Sequence, residues 1–365
     1  MRRLVLGSVV VLAACVQGVD GNDAGGAGGA GGAAGGAGGG AAISDAGPEA
    51  VDAGPSCTPA SERPDWKLKF VFLFEQSGTM CIADPPGSQE SSGFCEQAAA
   101  AINSGSVVPA RVRAMNDFLR AVGSRPDVRV AVVPFESNLK GVYPPTGFAR
   151  PDDANLQNRV WSLQTELGRH ANLQGALEQA RARIEYDVLQ GSDATRTRTR
   201  YVVVVLSTGV PSPRCNRNDL LMPYATAARP ELVWADTDTT FCNDITSDIP
   251  PAERIMTFVP GTTLNQNSQL FDLADALGAM KGWYGVSVSV HTRLLLSDSS
   301  LTRCGALCDG QLTNGLSPQD SRTVGGYVMG ELARRSGGSF VDPGEPSNLS
   351  LQDLATMEPT TFCPE

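Results

Sequence analysis

Apolar residues cluster along this chain in runs rather than in an even scatter. Phe70 to Phe74, inside Lys67–Glu75, is continuously apolar and stops abruptly at Glu75, Ser77 and Thr79. A run that does not alternate predicts a parallel strand covered on both faces. Similar runs at Val128–Phe135, Tyr201–Leu206 and Val286–Leu296 predict three more strands, and shorter ones are expected near Gly147–Arg150 and from Ser339 to Val341. Between them the apolar spacing is helical. Val112, Met115, Phe118, Leu119 and Val122 fall on one face of Ala110–Val122, and Leu173, Ala176, Leu177, Ala180 and Ile184 on one face of Leu173–Leu189. Leu156–Leu167, Ser268–Met280 and Val324–Arg335 read the same way. Strands alternating with helices imply right-handed crossovers, hence an α/β fold with a doubly wound, mostly parallel sheet and helices on both faces. Pro134 has no N–H to give a ladder, so the Val128–Phe135 strand leaves the sheet there or lies at an edge.

The first residues read differently. Met1-Arg2-Arg3, the apolar Leu4–Leu12 and Ala13-Ala14 predict a signal peptide over residues 1–14, too short to span a bilayer as a mature helix. Leu12-Ala13-Ala14-Cys15 resembles the bacterial lipobox, which implies a lipidated Cys15, and Val16 in place of aspartate implies an outer-membrane lipoprotein facing the periplasm or the cell surface. The alternative is ordinary secretory cleavage beside an incidental cysteine. Residues 15–56 are dominated by Gly, Ala, Asp and Pro and cannot bury a core, so they are expected to form a flexible tether with a reach of roughly 35 Å. A single domain over residues 57–365 remains.

Charge narrows the partners. The chain carries 29 Lys and Arg against 39 Asp and Glu, a net −10, and loss of Arg2 and Arg3 with the signal peptide leaves 27 against 39, a net −12. Such a balance argues against nucleic acid and against an anionic bilayer surface as partners. The nine cysteines leave eight if Cys15 is lipidated, an even number in an exported chain, so disulfides are the default. Cys81 and Cys95 follow the first strand, Cys215 and Cys242 follow Leu206, and Cys304 and Cys308 follow Leu296, which puts all six on the carboxyl edge of the sheet, where doubly wound folds bind ligands. The expected pairs are Cys81–Cys95, Cys215–Cys242 and Cys304–Cys308, with Cys57–Cys363 joining the ends, although eight cysteines allow about a hundred connectivities. A zinc site is the alternative, but His170 and His291 are the only histidines and neither neighbours a cysteine pair.

The apolar strand ending in Glu75-Gln76-Ser77-Gly78-Thr79 resembles the first strand and metal-site loop of the von Willebrand factor A (VWA) domain, whose pattern is Asp-x-Ser-x-Ser, and the resemblance extends over roughly Lys67 to Asp342. It implies the same doubly wound fold. It also implies a divalent-cation site at which this chain departs from the pattern. Glu75 stands for the aspartate, and Ser77 and Thr79 for the serines. Ala171, in Gly168-Arg-His-Ala-Asn172, stands where the family has a threonine, and Thr208, in Ser207-Thr208-Gly209, where it has an aspartate. Ala171 offers no oxygen, Thr208 removes a carboxylate and Glu75 is one methylene longer, so the expectation is a degenerate site without a cofactor. The alternative is a weak Mg²⁺ or Ca²⁺ site on Glu75, Ser77 and Thr79. Without a cation, Glu75 is expected to accept backbone N–H groups from the turn that follows it.

Enzyme signatures are missing. No nucleophile elbow, phosphate loop, zinc-helix motif or dinucleotide fingerprint occurs. His291 lies within an apolar strand and reads as a satisfied sheet histidine, and no nucleophile pairs with His170. Arg196, Arg198 and Arg200 read as a solvated lead-in to the Tyr201 strand. The function expected is non-enzymatic: an envelope-anchored VWA-like adhesion module that contacts a protein or another macromolecule through loops 81–110, 207–266 and 297–322. The alternatives are a structural part of an envelope assembly and, less in keeping with the residues, a hydrolase.

Overall fold

The computed structural model describes residues 66–84, 100–105, 107–136, 139, 141–165, 171–209, 268–304 and 318–359. In chain order the elements are β1 (Lys67–Glu75), α1 (Met80–Ala83), α2 (Ala110–Val122), β2 (Val128–Phe135), α3 (Ala154–Ser162), α4 (Leu173–Gln190), α5 (Asp193–Thr197), β3 (Thr199–Ser207), α6 (Ser268–Tyr284), β4 (Ser287–Leu294), α7 (Asp298–Cys304), α8 (Pro318–Ser336), β5 (Phe340–Val341) and α9 (Gln352–Ala355).

The strands form one sheet in the order β2-β1-β3-β4-β5, and every pair is parallel. β1 lies inside the sheet between β2 and β3 and is buried on both sides, with Phe70 through Phe74 inaccessible to solvent, as its unbroken apolar sequence requires. On one face Phe118 of α2 meets Phe70 and Phe72 edge-on, with ring centroids 4.9 and 5.0 Å apart. On the other, α4 packs against β1 and β2, and α6 and α8 pack against β4. All described residues fall within one compact unit, Gly54–Glu365.

Pro134 does mark an edge. Val130 and Val132 turn their N–H groups away from β1, to Ala149 O (2.8 Å) and Tyr143 O (2.7 Å). Pro134, two residues on, faces the same side and has no donor to lose there. The strand expected near Gly147–Arg150 is reduced to two isolated antiparallel bridges, Val130 with Ala149 and Val132 with Tyr143. Pro144 and Pro145 lie between them and cannot continue a ladder.

Boundaries moved where caps decided them. The helix expected from Leu156 begins at Ala154, because the Asp153 carboxylate accepts from Asn155 N and Leu156 N at 2.8 and 3.1 Å. The short helices α1, α5, α7 and α9 were not legible, since one or two turns present too few apolar repeats. After β5 the chain is fastened by arginines from elsewhere in the domain. Arg113 donates to Ser347 O, Arg125 to Ala355 O and Met357 O, and the buried Arg293 pairs with Asp353 at 2.5 Å. Among the described residues no helix is long and apolar enough to cross a membrane.

Candidate functional site

The strand order reverses direction about β1. The chain passes from β1 to β2 on one side and returns to β3 on the other, so a crevice opens beyond the carboxyl ends of β1 and β3. The register Phe74↔Leu206 places Glu75 beside Ser207 at that crevice.

Glu75 is fully buried, and its carboxylate is surrounded by donors. Ser207 Oγ donates to Oε2 at 2.6 Å and Thr208 N to the same oxygen at 2.7 Å. Thr208 Oγ1 lies 3.1 Å from Oε1 and 3.0 Å from Oε2, and Ser77 Oγ donates to Oε1. Both oxygens are therefore engaged by protein donors. The backbone donor comes from the turn after β3, not from the turn after β1 as expected: β1 and β3 end side by side, and the long glutamate side chain spans the gap. Ser207 closes its own turn by accepting from Gly209 N at 2.9 Å.

That turn is held from behind. Gly209 has φ +76°, a conformation that side chains other than glycine resist, and a Cβ there would lie 2.5 Å from Gly325 O. A Cβ on Gly325 would in turn run into the Thr208 carbonyl oxygen. Two glycines from distant segments thus let α8 press backbone to backbone against the β3 turn. The sequence showed Gly325 only as a small residue in an apolar helix.

The other residues expected around a cation, Thr79 and Ala171, do not meet this carboxylate in any hydrogen bond that the structure gives to Glu75. Thr79 occupies the N-cap position of α1, its carbonyl accepting from Ile82 N and Ala83 N. Ala171 is buried at the end of β2, where neighbouring Asn172 donates its N–H to Glu136 O at 2.7 Å and caps α4 by accepting from Gly175 N at 3.0 Å. Below the β1 loop lies a polar network that the sequence did not disclose. Asp84 accepts from Ala110 N at 2.5 Å and Arg111 N at 2.8 Å, capping α2, and pairs with the Arg111 guanidinium at 3.0 Å. Arg111 is fully buried and also reaches Gln76 Oε1, while Gln76 Nε2 donates to Leu163 O. An aspartate before Pro85 and a helix opening after Pro109 were the available signals, but 26 residues separate Asp84 from Ala110.

Cys81 is buried in α1 and disulfide-bonded. Cys95, its expected partner, lies outside the described residues, as do Cys15, Cys57, Cys215, Cys242, Cys308 and Cys363. Cys304 ends α7. His170 is likewise outside. His291 is the satisfied histidine expected: Ser339 N donates to Nδ1 at 3.2 Å, so Nε2 carries the proton and faces Ser289 Oγ at 3.1 Å. Burial first, then the charges of Arg293 and Arg200, pull its pKa down to about 4. Among the described residues no group of three or more His, Cys, Asp or Glu side chains is placed to hold a metal.

No family profile matches the sequence, and no curated protein matches it. Solved structures do. The pilus adhesin SpaC from Lactobacillus rhamnosus GG is 13% identical with a TM-score of 0.41, the match covering 80% of this chain and 30% of that one. The PilB minor pilin from Streptococcus sanguinis is 14% identical with a TM-score of 0.38, covering 80% of this chain and 60% of that one. The chain thus spans less than two thirds of either protein's length. The vWF domain of the type V pili tip protein Mfa5 from Porphyromonas gingivalis is 12% identical with a TM-score of 0.39, covering 80% of this chain and 94% of that one.

Proposed function

We propose that this chain is a VWA-like binding module of the bacterial envelope, in which the family's cation site has become a fixed hydrogen-bonded lock and the partner is contacted by the loops around it. The observation that carries this reading is the saturation of Glu75. Both carboxylate oxygens already accept from Ser77, Ser207 and Thr208, so a cation would have to compete with the protein's own donors. Ala171 supplies no oxygen, and Thr208 donates to Glu75 where the family aspartate would accept. In this reading the internal hydrogen bonds take the place of a cation, and recognition falls to the loops that follow Asp84, Gly209 and Cys304.

In this reading the protein is not an enzyme and carries no cofactor. Cys15 is lipidated in the outer membrane, residues 15–56 are the tether, and Cys81–Cys95, Cys215–Cys242, Cys304–Cys308 and Cys57–Cys363 brace the loops and ends. Local disulfides suit this role because they give long loops a defined surface at little cost to the scaffold. A pulldown from envelope extract tests the proposal. The intact chain is expected to retain a protein or other envelope macromolecule, and deletion of residues 215–242 to abolish capture while far-UV circular dichroism stays native. Capture that survives the deletion favours a structural role in an envelope assembly instead. Non-reducing peptide mapping tests the pairing, and any cross-loop bridge overturns it.

A further inference from the structure

We propose that residues 339–358, β5 and the segment that follows it, form an acid-released arm, which opens from the sheet when His291 is protonated while β1 and β3 keep their pairing. The arm leaves α8 past Gly337, which has φ +73° and open space where a Cβ would stand. β5 adds only two residues to the sheet, opposite Thr292 and Arg293. Beyond it the arm's backbone donors bond locally, as Asn348 N does to Glu345 O and Leu354 N to Leu351 O. Side chains of the body tie it down. Arg322 pairs with Asp342 at 2.6 Å, Ser299 Oγ donates to Glu345 at 2.6 Å, and Arg113 and Arg125 donate to the carbonyls of Ser347, Ala355 and Met357. Leu349, Leu351 and Leu354 are buried and hold the arm shut at neutral pH. A segment with a two-residue ladder and side-chain anchors opens more readily than strands paired on both sides, as β1 and β3 are.

His291 stands at the root of this arm. The register sets His291 and Arg293 beside Val204 and Leu206 of β3, and Arg200 lies on the same face by strand alternation. Arg200 is not the solvated lead-in that its sequence implied: it is half-buried and donates to Glu358 O at 3.3 Å. Arg293 is buried and pairs with Asp353 at 2.5 Å. The charges that face the imidazole are therefore Arg200 from β3, Arg293 from its own strand and Asp353 from the arm, the groups that also fasten the arm's last turns. A neutral ring suits that setting. Its Nδ1 accepts from the backbone N–H of Ser339, the first residue of the arm, at 3.2 Å. A proton added at Nδ1 points at that N–H. The Ser339 hydroxyl, 2.8 Å away, can turn to accept the new proton, but the backbone N–H is then left without its acceptor. Protonation also sets three cations against one carboxylate. Opening the arm relieves both by letting water reach the imidazole.

Burial first, then Arg293 and Arg200, hold the closed-state imidazole down to about 4, against about 6.5 for an exposed one. The open form thus binds more protons between those values, and opening is favoured as pH falls through that interval. From pH 7 to pH 4.5 the opening constant should rise about fiftyfold on this one group.

Hydrogen exchange of the full chain, read by mass spectrometry and corrected for the intrinsic pH dependence of exchange, tests the arm. Protection of peptides within residues 342–358 is expected to fall about fiftyfold from pH 7 to pH 4.5 while β1 and β3 keep theirs. In His291→Gln most of that fall should disappear. Asp353→Asn should lower the arm's protection already at pH 7, since Arg293 loses its carboxylate, and should keep the pH response, since His291 is intact. The proposal is overturned if the parent arm stays protected to pH 4.5, if it opens only together with β1 and β3, or if the His291→Gln arm opens as much as the parent's. Where His291→Gln does not fold, the parent series and Asp353→Asn decide: an Asp353→Asn arm indifferent to pH overturns the proposal as well.

Discussion

Removing Glu75 tests the lock at the carboxyl edge most directly. In Glu75→Ala the Ser77 and Ser207 hydroxyls can rotate toward other acceptors, but the Thr208 N–H is fixed by the backbone and is left buried without an acceptor. That alone costs about 1–3 kcal/mol. The vacated side chain adds a cavity among residues that are themselves inaccessible, bringing the expected loss to about 4 kcal/mol. At about 2 °C per kcal/mol for a domain of this size, the midpoint of thermal unfolding should fall by roughly 8 °C. Glu75→Gln keeps the shape and one acceptor oxygen but replaces a charge-assisted bond, and should lose about 2 kcal/mol. Glu75→Asp is the informative variant. It keeps the charge but is one methylene shorter, so its carboxylate withdraws from β3 and gives up Ser207 and Thr208, and it should lose more than Glu75→Gln. Guanidinium unfolding followed by far-UV circular dichroism measures all three. The reasoning is refuted if Glu75→Asp is as stable as the parent, or if Glu75→Ala loses less than about 1 kcal/mol.

Other outcomes follow from the same contacts. Millimolar Mg²⁺, Mn²⁺ or Ca²⁺ should leave the unfolding midpoint of the parent unmoved; a cation held a hundredfold below its free concentration would add about 2.7 kcal/mol, and a shift of that size lost in Glu75→Ala would restore the metal-site reading. Gly325→Ala should destabilise by about 1–3 kcal/mol or more, since the new methyl meets the Thr208 carbonyl and either α8 or the lock must move; an unchanged denaturation midpoint would show that contact to be compliant. Asp84→Ala should cost about 3–5 kcal/mol, because it strands the fully buried Arg111 and uncaps α2, and removing both charges together should cost less than removing Asp84 alone. His291 has a folded pKa of about 4, below its unfolded value near 6.5, so the folded state binds fewer protons between those values. Its contribution is complete above pH 6.5 and is lost as pH falls toward 4, by about 3 kcal/mol. Denaturation at pH 7 and pH 4.5 should show that loss shrinking in His291→Gln, and an identical pH dependence in both forms would remove the account.

Much of the scaffold was legible because burial on two faces leaves an unmistakable record. Phe70–Phe74 and Tyr201–Leu206 are continuously apolar or aromatic, so they had to be interior strands, and the missing donor of Pro134 limited its strand to leaving the sheet there or lying at an edge. The candidate site was only half legible. Glu75 and Ser77 announced a polar cluster at the end of a strand, but not that its donors would come from Ser207 and Thr208.

What the sequence determined by itself was the local inventory: which segments are strands or long helices, and which polar side chains stand at their ends. Only the tertiary structure decided how those side chains are used, because their partners lie far away along the chain. Glu75 and Thr208 are 133 residues apart and meet only because β1 pairs with β3. Gly325 supports that pair from α8, where its missing side chain leaves room for the Thr208 carbonyl. Periodicity reports how each segment is buried against an average environment, whereas strand register selects the particular neighbour, and it is the neighbour that supplies the donors Glu75 accepts from.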